Sequence, residues 1–170
     1  MAVQTTYSQS MAAAYVGQLA DNAGHLIKPC TNGEVSASIP FGYAVKFGVL
    51  DNEALLPTAE TSKIVGIVVH SHAYGVSPYG DLDTTGVKID GNLNVLRKGR
   101  IWVTAEDACV PGDRLWVRCT AGGAGEVVGG LTNADEGTET IDCTAQGVWL
   151  TTAAAGALAI LEVDFTNKPA

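Results

Sequence analysis

Two histidines are the residues of this chain whose types and spacing come closest to a metal site. His70 and His72 lie two apart at the end of a β-branched run over residues 63–70, and side chains two apart on a strand project from one face. A zinc site would need a third ligand, such as a carboxylate or a thiolate, and the neighbouring sequence offers no obvious one. We therefore expect a surface pair that binds no metal, and we predict no cofactor.

The motifs of hydrolytic enzymes are present only in fragments. Residues 83–86 read Asp-Thr-Thr-Gly, whereas aspartic proteases use Asp-Thr-Gly and need a second aspartate nearby, which no second copy supplies. The Gly-x-Ser-x-Gly elbow of serine hydrolases is absent. Cys30 lies near His25 in the sequence, but a structural thiol explains Cys30 better than a nucleophile does. We predict that the chain is not an enzyme.

Strands and tight turns must position these residues. The chain has 20 glycines, 46% hydrophobic residues and only 16% charged residues, a composition that favours short strands over helices. The strands that we predict lie at 39–47, 63–70, 87–89, 93–96, 99–104, 115–119, 126–128, 147–150 and 158–165. The segment at 63–70 has the continuous apolar run of a central strand. The last strand alternates, with Leu161, Val163 and Phe165 on one face and Glu162 and Asp164 on the other.

Glycine and proline mark the turns between these strands. Pro40 suits the edge or the start of a strand, and we assign Gly42 to a turn. Pro111, Gly112 and Asp113 form a second turn, in which proline and glycine supply the special φ angles. Residues 122–125 (Gly-Gly-Ala-Gly) predict a hairpin and no phosphate cradle.

Two charged stretches complete the chain. Residues 97–100 (Arg-Lys-Gly-Arg) predict a solvated hairpin end, and the Gly-, Asn- and acid-rich stretch 129–140 predicts a disordered or solvent-facing loop.

We read the whole chain as an all-β fold, an antiparallel β-barrel or β-sandwich with an extended N-terminal arm. The arm covers residues 1–24 and the β domain residues 25–170. A short helix over residues 10–20, capped by Ser10, is an equally good interpretation of the arm.

Charge and cysteine content exclude several classes of partner and compartment. The net charge is −8, and between Arg118 and Lys168 every charged side chain is acidic, so we predict no nucleic-acid binding. No stretch approaches the roughly 20 apolar residues of a membrane span, and we predict no membrane partner. The four cysteines are irregularly spaced and form no Cys-x-x-Cys pair, which favours reduced, buried thiols. The N-terminus lacks the positive region of a secretory signal.

The first twenty residues contain no charged side chain, and the first charge is Asp21. They are rich in Ala, Ser, Thr and Gln with two tyrosines, and are neither a charged solvated tail nor an aliphatic core segment. Such a segment suits an arm that lies against another protein. The contact residues that we predict are Tyr7, Tyr15, Val16, Gly17, Gln18, Leu19 and Asp21.

Several motifs in this order resemble the structural cement, or capsid decoration, proteins of tailed bacteriophages. The more specific are Gly-Gln-Leu-Ala-Asp at 17–21 and Ile-Pro-Phe-Gly at 39–42; the others are residues 63–69, 110–117 and 147–150. The resemblance covers most of the chain. It implies a β-rich protein on the exterior of an icosahedral shell, assembled in the host bacterial cytoplasm, with the major capsid protein as partner and no catalytic residues.

Low surface charge and many apolar strands also predict a homo-oligomer, a trimer or a dimer. The alternative function is a carbohydrate-binding β-sandwich module on a virion surface. Its platform would be exposed aromatic side chains, namely Tyr74, Tyr79 and Trp149. If the tryptophans lie in the core instead, this alternative loses its main support.

Overall fold

The computed structural model describes residues 14–22, 24–71 and 86–166, and these residues fold almost entirely into β-structure. The strands are β1 (Leu26–Asn32), β2 (Ile39–Pro40), β3 (Ala44–Phe47), β4 (Glu53–Leu55), β5 (Ile64–Val69), β6 (Gly86–Val87), β7 (Asn92–Thr104), β8 (Trp116–Arg118), β9 (Leu131–Thr132), β10 (Thr140–Asp142), β11 (Gly147–Trp149) and β12 (Leu158–Asp164). A short 3-10 helix covers Gly137–Glu139. The described residues contain no α-helix.

The large sheet closes on itself. Its seven strands run in the order β1-β4-β3-β5-β7-β12-β11, and β1 also pairs with β7, so that β1, β4, β3, β5 and β7 form a ring. All of these pairings are antiparallel except β1–β4. Smaller sheets are formed by β10-β8-β9 and by β2-β6. The prediction of an all-β, barrel-like domain is therefore confirmed.

The core is divided into two clusters of buried side chains, and β5 contributes to both. Val65 and Val68 belong to the smaller cluster, while Ile67 and Val69 belong to the larger one. Apolar residues on successive positions of β5 are therefore needed on both of its faces, which explains the continuous apolar run. In β12, by contrast, only alternate positions are buried. The predicted inward face of Leu161, Val163 and Phe165 is thus confirmed.

The predicted turn inside the basic stretch is wrong. Residues 92–104 form one strand, the 13-residue β7, where two shorter strands and a hairpin end were expected. Gly99 lies inside β7 with φ +135° and is paired with Val163 of β12. The long pairing of β7 with β1 and β12 holds this glycine in the sheet, which outweighs its local tendency to form a turn.

Three other predicted elements differ from the structure. The strand predicted over 39–47 is divided into β2 and β3, which belong to different sheets, because Gly42 turns the chain between them with φ +78°. The strand predicted over 126–128 is absent, and β8 pairs instead with β9 across a longer loop. The described part of the predicted N-terminal helix, residues 14–20, is not helical. Its first residues, 10–13, lie outside the described residues.

All four cysteines are free and buried, as predicted from their spacing. Burial raises the pKa of the Cys30 thiol, and it raises the pKa of the Cys143 thiol to about 12. A thiol attacks as its thiolate. Both cysteines are therefore unreactive packing residues at neutral pH.

Candidate functional site

Residues 14–22, here called the N-terminal segment, are bound to the barrel through their backbone. The Gly17 N–H donates to the Trp102 carbonyl (2.7 Å), and the Trp102 N–H donates to the Gln18 carbonyl (2.8 Å). The Ala20 N–H donates to Arg100 of the same strand, β7 (2.9 Å), and Leu19 forms a β-bridge with Ile101. This part of the predicted arm is an added edge of the sheet.

A tight turn in this segment determines where Tyr15 lies. The Gln18 N–H donates to the Tyr15 carbonyl (3.0 Å), and Gly17 has φ +81°, which is the glycine position of a type II turn. A Cβ atom at Gly17 would lie 2.9 Å from the backbone nitrogen of His70 and 3.0 Å from the backbone nitrogen of Gly42. Residue 17 must be glycine both for this conformation and for this close approach.

The turn brings together the two motifs that carried the family resemblance. Gly17 contacts Gly42, and a Cβ atom at Gly42 would lie 2.4 Å from Cγ1 of Val16. The motif at 17–21 and the motif at 39–42 therefore pack on each other. Their joint presence in the sequence reflects one structural unit.

Tyr15 is exposed on this unit. Its residue surface is 62% exposed, and its ring stacks on the His70 imidazole with 5.9 Å between ring centroids. Phe41 packs against the same imidazole, with 4.7 Å between ring centroids. An open depression beside them is lined by Tyr15, Gln18, Leu19, Val69 and His70. The structure thus gives His70 a packing role, while its predicted neighbour His72 lies outside the described residues.

The other predicted contact residues divide into three groups. Gly17 is buried, Val16 and Leu19 are half-buried, and Gln18 is exposed. Asp21 forms an ion pair with Arg100 of its own chain at 3.0 Å. Tyr7 lies outside the described residues.

Ion pairs neutralise two of the three basic side chains in the stretch 97–100 of β7. Arg100 binds Glu162 at 2.6 Å as well as Asp21, and Lys98 binds Asp164 at 2.8 Å. The hydrogen bond from Lys98 is the main cause that lowers the pKa of Asp164 to about 2. Because Lys98 and Arg100 are already paired with carboxylates, this stretch is a poor phosphate-binding surface.

A buried arginine was missed by the sequence reasoning. The Arg118 side chain is fully buried and donates to Glu106 (2.7 Å) and, through two nitrogens, to Glu136 (2.9 and 2.7 Å). Carboxylates of Glu126 and Glu139 lie 3.6 Å from it. The hydrogen bond with Glu136 is the largest cause that raises the pKa of Arg118, and the same bond lowers the pKa of Glu136.

The contacts of Arg118 show that the prediction for residues 129–140 is wrong. This stretch was expected to be disordered or solvent-facing, but Leu131 and Thr132 are buried in β9, and Glu136 is bound to Arg118. The acidic composition that suggested solvation instead supplies partners for one buried cation. Nothing local in the sequence pairs residue 118 with residues 106 and 136.

The remaining predicted turn residues occupy turns or edges. Pro40 lies in the two-residue strand β2, which pairs with β6. At the second turn Gly112 has φ +99°, and the Val110 N–H donates to the Asp113 carboxylate (3.0 Å). These residues shape the β-scaffold and lie apart in sequence from the N-terminal segment.

The aromatic platform of the alternative function is not formed as expected. Trp149 is fully buried in the larger core cluster, so its ring cannot stack on a sugar. Tyr74 and Tyr79 lie outside the described residues. Within the described ranges, no group of three His, Cys, Asp or Glu residues is arranged to hold a metal ion. Nor is any helix there long and apolar enough to span a membrane.

The comparison with known families decides between these possibilities. A family model described as structural cement protein (E217 gp24/Pam3 gp6) matches residues 3–164. The chain belongs to this phage cement family. The match spans the N-terminal segment and every strand from β1 to β12, so the family assignment rests on the whole described fold.

A solved structure has the same fold. A chain of "The capsid of Myoviridae Phage XM1" superposes with a TM-score of 0.68 at 20% identity, covering 96% of this cement protein and 98% of that chain. No curated protein matches. Family membership gives this cement protein a structural role at a phage capsid and places it in the virion, associated with the shell.

Proposed function

We propose that this cement protein binds the outer surface of an icosahedral shell and stabilises the contacts between major capsid protein subunits. Residues 1–24 form the contacting arm in this proposal. The observation that carries it is the exposed Tyr15 ring, held on the His70 imidazole by a glycine turn. Aromatic side chains fixed in this way are typical centres of protein–protein interfaces.

The predicted contact residues contribute in two ways. Tyr15 and Gln18 are exposed, and in this proposal both lie on the surface that faces the shell. Gly17 and Leu19 hold the segment on β7, and Asp21 anchors it to Arg100. Val16 fills the space beside Gly42. Tyr7 belongs to the uncharged sequence that would extend the contact along the shell.

Binding on the outside agrees with the charge of the molecule. A net charge of −8 is repelled by packaged DNA, so the proposal includes neither nucleic acid nor membrane as partner. We also propose that the protein forms a homo-oligomer, a trimer or a dimer, because several weak arms linked in one particle bind a lattice far more tightly than one arm does. Sedimentation as a monomer of 17.6 kDa at micromolar concentration would contradict the oligomer.

Tyr15→Ala tests the contact. We expect it to weaken binding to empty capsids that lack cement protein by about 30-fold, the effect of losing a roughly 2 kcal/mol aromatic anchor. The ring is exposed, so the melting temperature should stay within a few degrees of the native value. Binding is measured by co-sedimentation across a concentration series.

Val110→Ala is the matched control, because Val110 is also an exposed apolar residue, at 51%, but lies on the turn before β8. It should bind capsids like the native protein. Equal affinity of Tyr15→Ala and the native protein would remove Tyr15 from the contact.

A further inference from the structure

A second exposed apolar surface lies at the end of the barrel where three loops meet. Val35 in the β1–β2 loop is 90% exposed, and Val49 and Leu50 in the β3–β4 turn are 93% and 71% exposed. Ile89, in the β6–β7 turn, is 43% exposed. We call these four residues the apolar tip. Exposing four apolar side chains to water on adjoining loops is unfavourable, and an interaction site explains why they are exposed.

Asn32, at the end of β1, joins two of the loops. Its backbone N–H donates to the Gly91 carbonyl (2.9 Å), and its carbonyl accepts from the Asp90 N–H (3.1 Å). Its side-chain amide donates to Val87 (2.9 Å), and its side-chain oxygen accepts from the Glu34 N–H (2.9 Å). Asn32 is fully buried, so the loops carrying Val35 and Ile89 are fixed to one internal group.

Glu53, at the start of β4, builds the third loop. Its carboxylate accepts from the Val49 N–H (2.8 Å) and the Leu50 N–H (3.1 Å). A Cβ atom at Gly33 would lie 2.2 Å from the Glu53 side chain, so the β1–β2 loop packs directly on this turn. The apolar tip is therefore pre-organised, which lowers the entropic cost of binding.

Charge on the three loops argues against a second copy of this chain as the occupant. The loops carry Glu34, Asp51 and Asp90 against one basic residue, Lys88. Two such tips facing each other across a two-fold axis would bring like charges together. A partner surface with basic or neutral groups around an apolar depression fits the tip better.

The small size of the apolar tip also favours a contact with a capsid lattice over an independent interface. Four apolar side chains are far fewer than the roughly 20–30 residues per side of a stable independent interface. A contact this small is useful where the protein is already held at another point, since the second contact then forms at a high effective concentration.

We propose that the apolar tip is a second attachment point, which inserts into an apolar depression with a basic or neutral rim on a major capsid protein subunit. The inference rests on the proposed capsid-binding function. A single copy would then touch the shell both through Tyr15 and through the apolar tip.

The test combines two surface substitutions with a crosslink. Val49→Ser with Leu50→Ser should lower the affinity for empty capsids at least tenfold while leaving the melting temperature and the oligomeric state unchanged. Val110→Ser, on the turn before β8, is the control and should bind like the native protein. In a separate variant, Leu50→Cys carries a benzophenone label, and the buried native thiols leave the new cysteine as the reactive one.

Illumination on capsids should join the labelled protein to the major capsid protein. A crosslink between two copies of this chain, or native affinity of the double variant, would overturn the inference. If the native protein itself fails to bind capsids, the proposed function fails. If the native protein and the double variant bind equally, only the role of the tip fails.

Discussion

Arg118→Met is expected to lower the free energy of unfolding by about 3–5 kcal/mol, the cost of breaking a buried ion pair by removing one partner. The substitution leaves the Glu106 carboxylate, which is 5% exposed, without its cation. It also releases Glu136 and with it the acidic segment that leads to β10. We expect the segment between β9 and β10 to become accessible to proteases as a result.

Urea unfolding followed by circular dichroism measures this change. Arg118→Lys is the informative companion, because it keeps a positive charge but cannot reproduce the fork that holds Glu106 and Glu136 together. Its stability should fall between that of the native protein and that of Arg118→Met. A loss below 1 kcal/mol for Arg118→Met would show that the buried network contributes little.

Trp149→Ala should cost about 3–5 kcal/mol, the usual range for deleting a large aromatic side chain from a core. Trp149 is fully buried on β11 and belongs to the core cluster that contains residues of both the large sheet and the β10-β8-β9 sheet. Its removal would leave a cavity in this cluster. The midpoint of urea unfolding should fall accordingly.

Trp149→Phe should cost much less. The indole Nε1 has no hydrogen-bond partner among the described residues, so phenylalanine keeps most of the ring volume and removes a buried, unsatisfied donor. Equal losses for the two variants would mean that Trp149 contributes through something other than its volume.

The local pattern of apolar and polar residues predicted the strands whose burial can be read from their own side chains. The β-branched run of β5 needs two apolar faces because β5 lies between two core clusters. The alternation of β12 reflects one buried face. These two strands are central to the barrel, which is why the all-β class followed from the sequence.

Long-range pairing decided the elements that the pattern missed. Gly99 has the local character of a turn, but pairing with Val163 keeps it in a strand. Residues 129–140 have the composition of a solvated loop, but Arg118 draws Glu136 against the fold. In both cases the deciding partner is distant in sequence, so no window around the residue contains the information.

The candidate site was likewise predictable from local sequence only in part. The uncharged N-terminal sequence indicated a contact segment, and the exposed Tyr15 is consistent with that interpretation. The packing of Gly17 against Gly42 was not predictable, because each glycine alone indicates only a turn. The apolar tip was missed because Val35, Val49 and Ile89 belong to three separate loops.

Co-sedimentation of the native protein with empty capsids lacking cement protein tests the central claim most directly. The account predicts saturable binding to the capsids and an increased temperature of capsid disruption once the sites are filled. The contribution of the N-terminal segment should change little between low and high salt, because its contact through Tyr15 is mainly apolar. Recovery of all the protein in the supernatant, at concentrations where its fold is intact, would contradict the account.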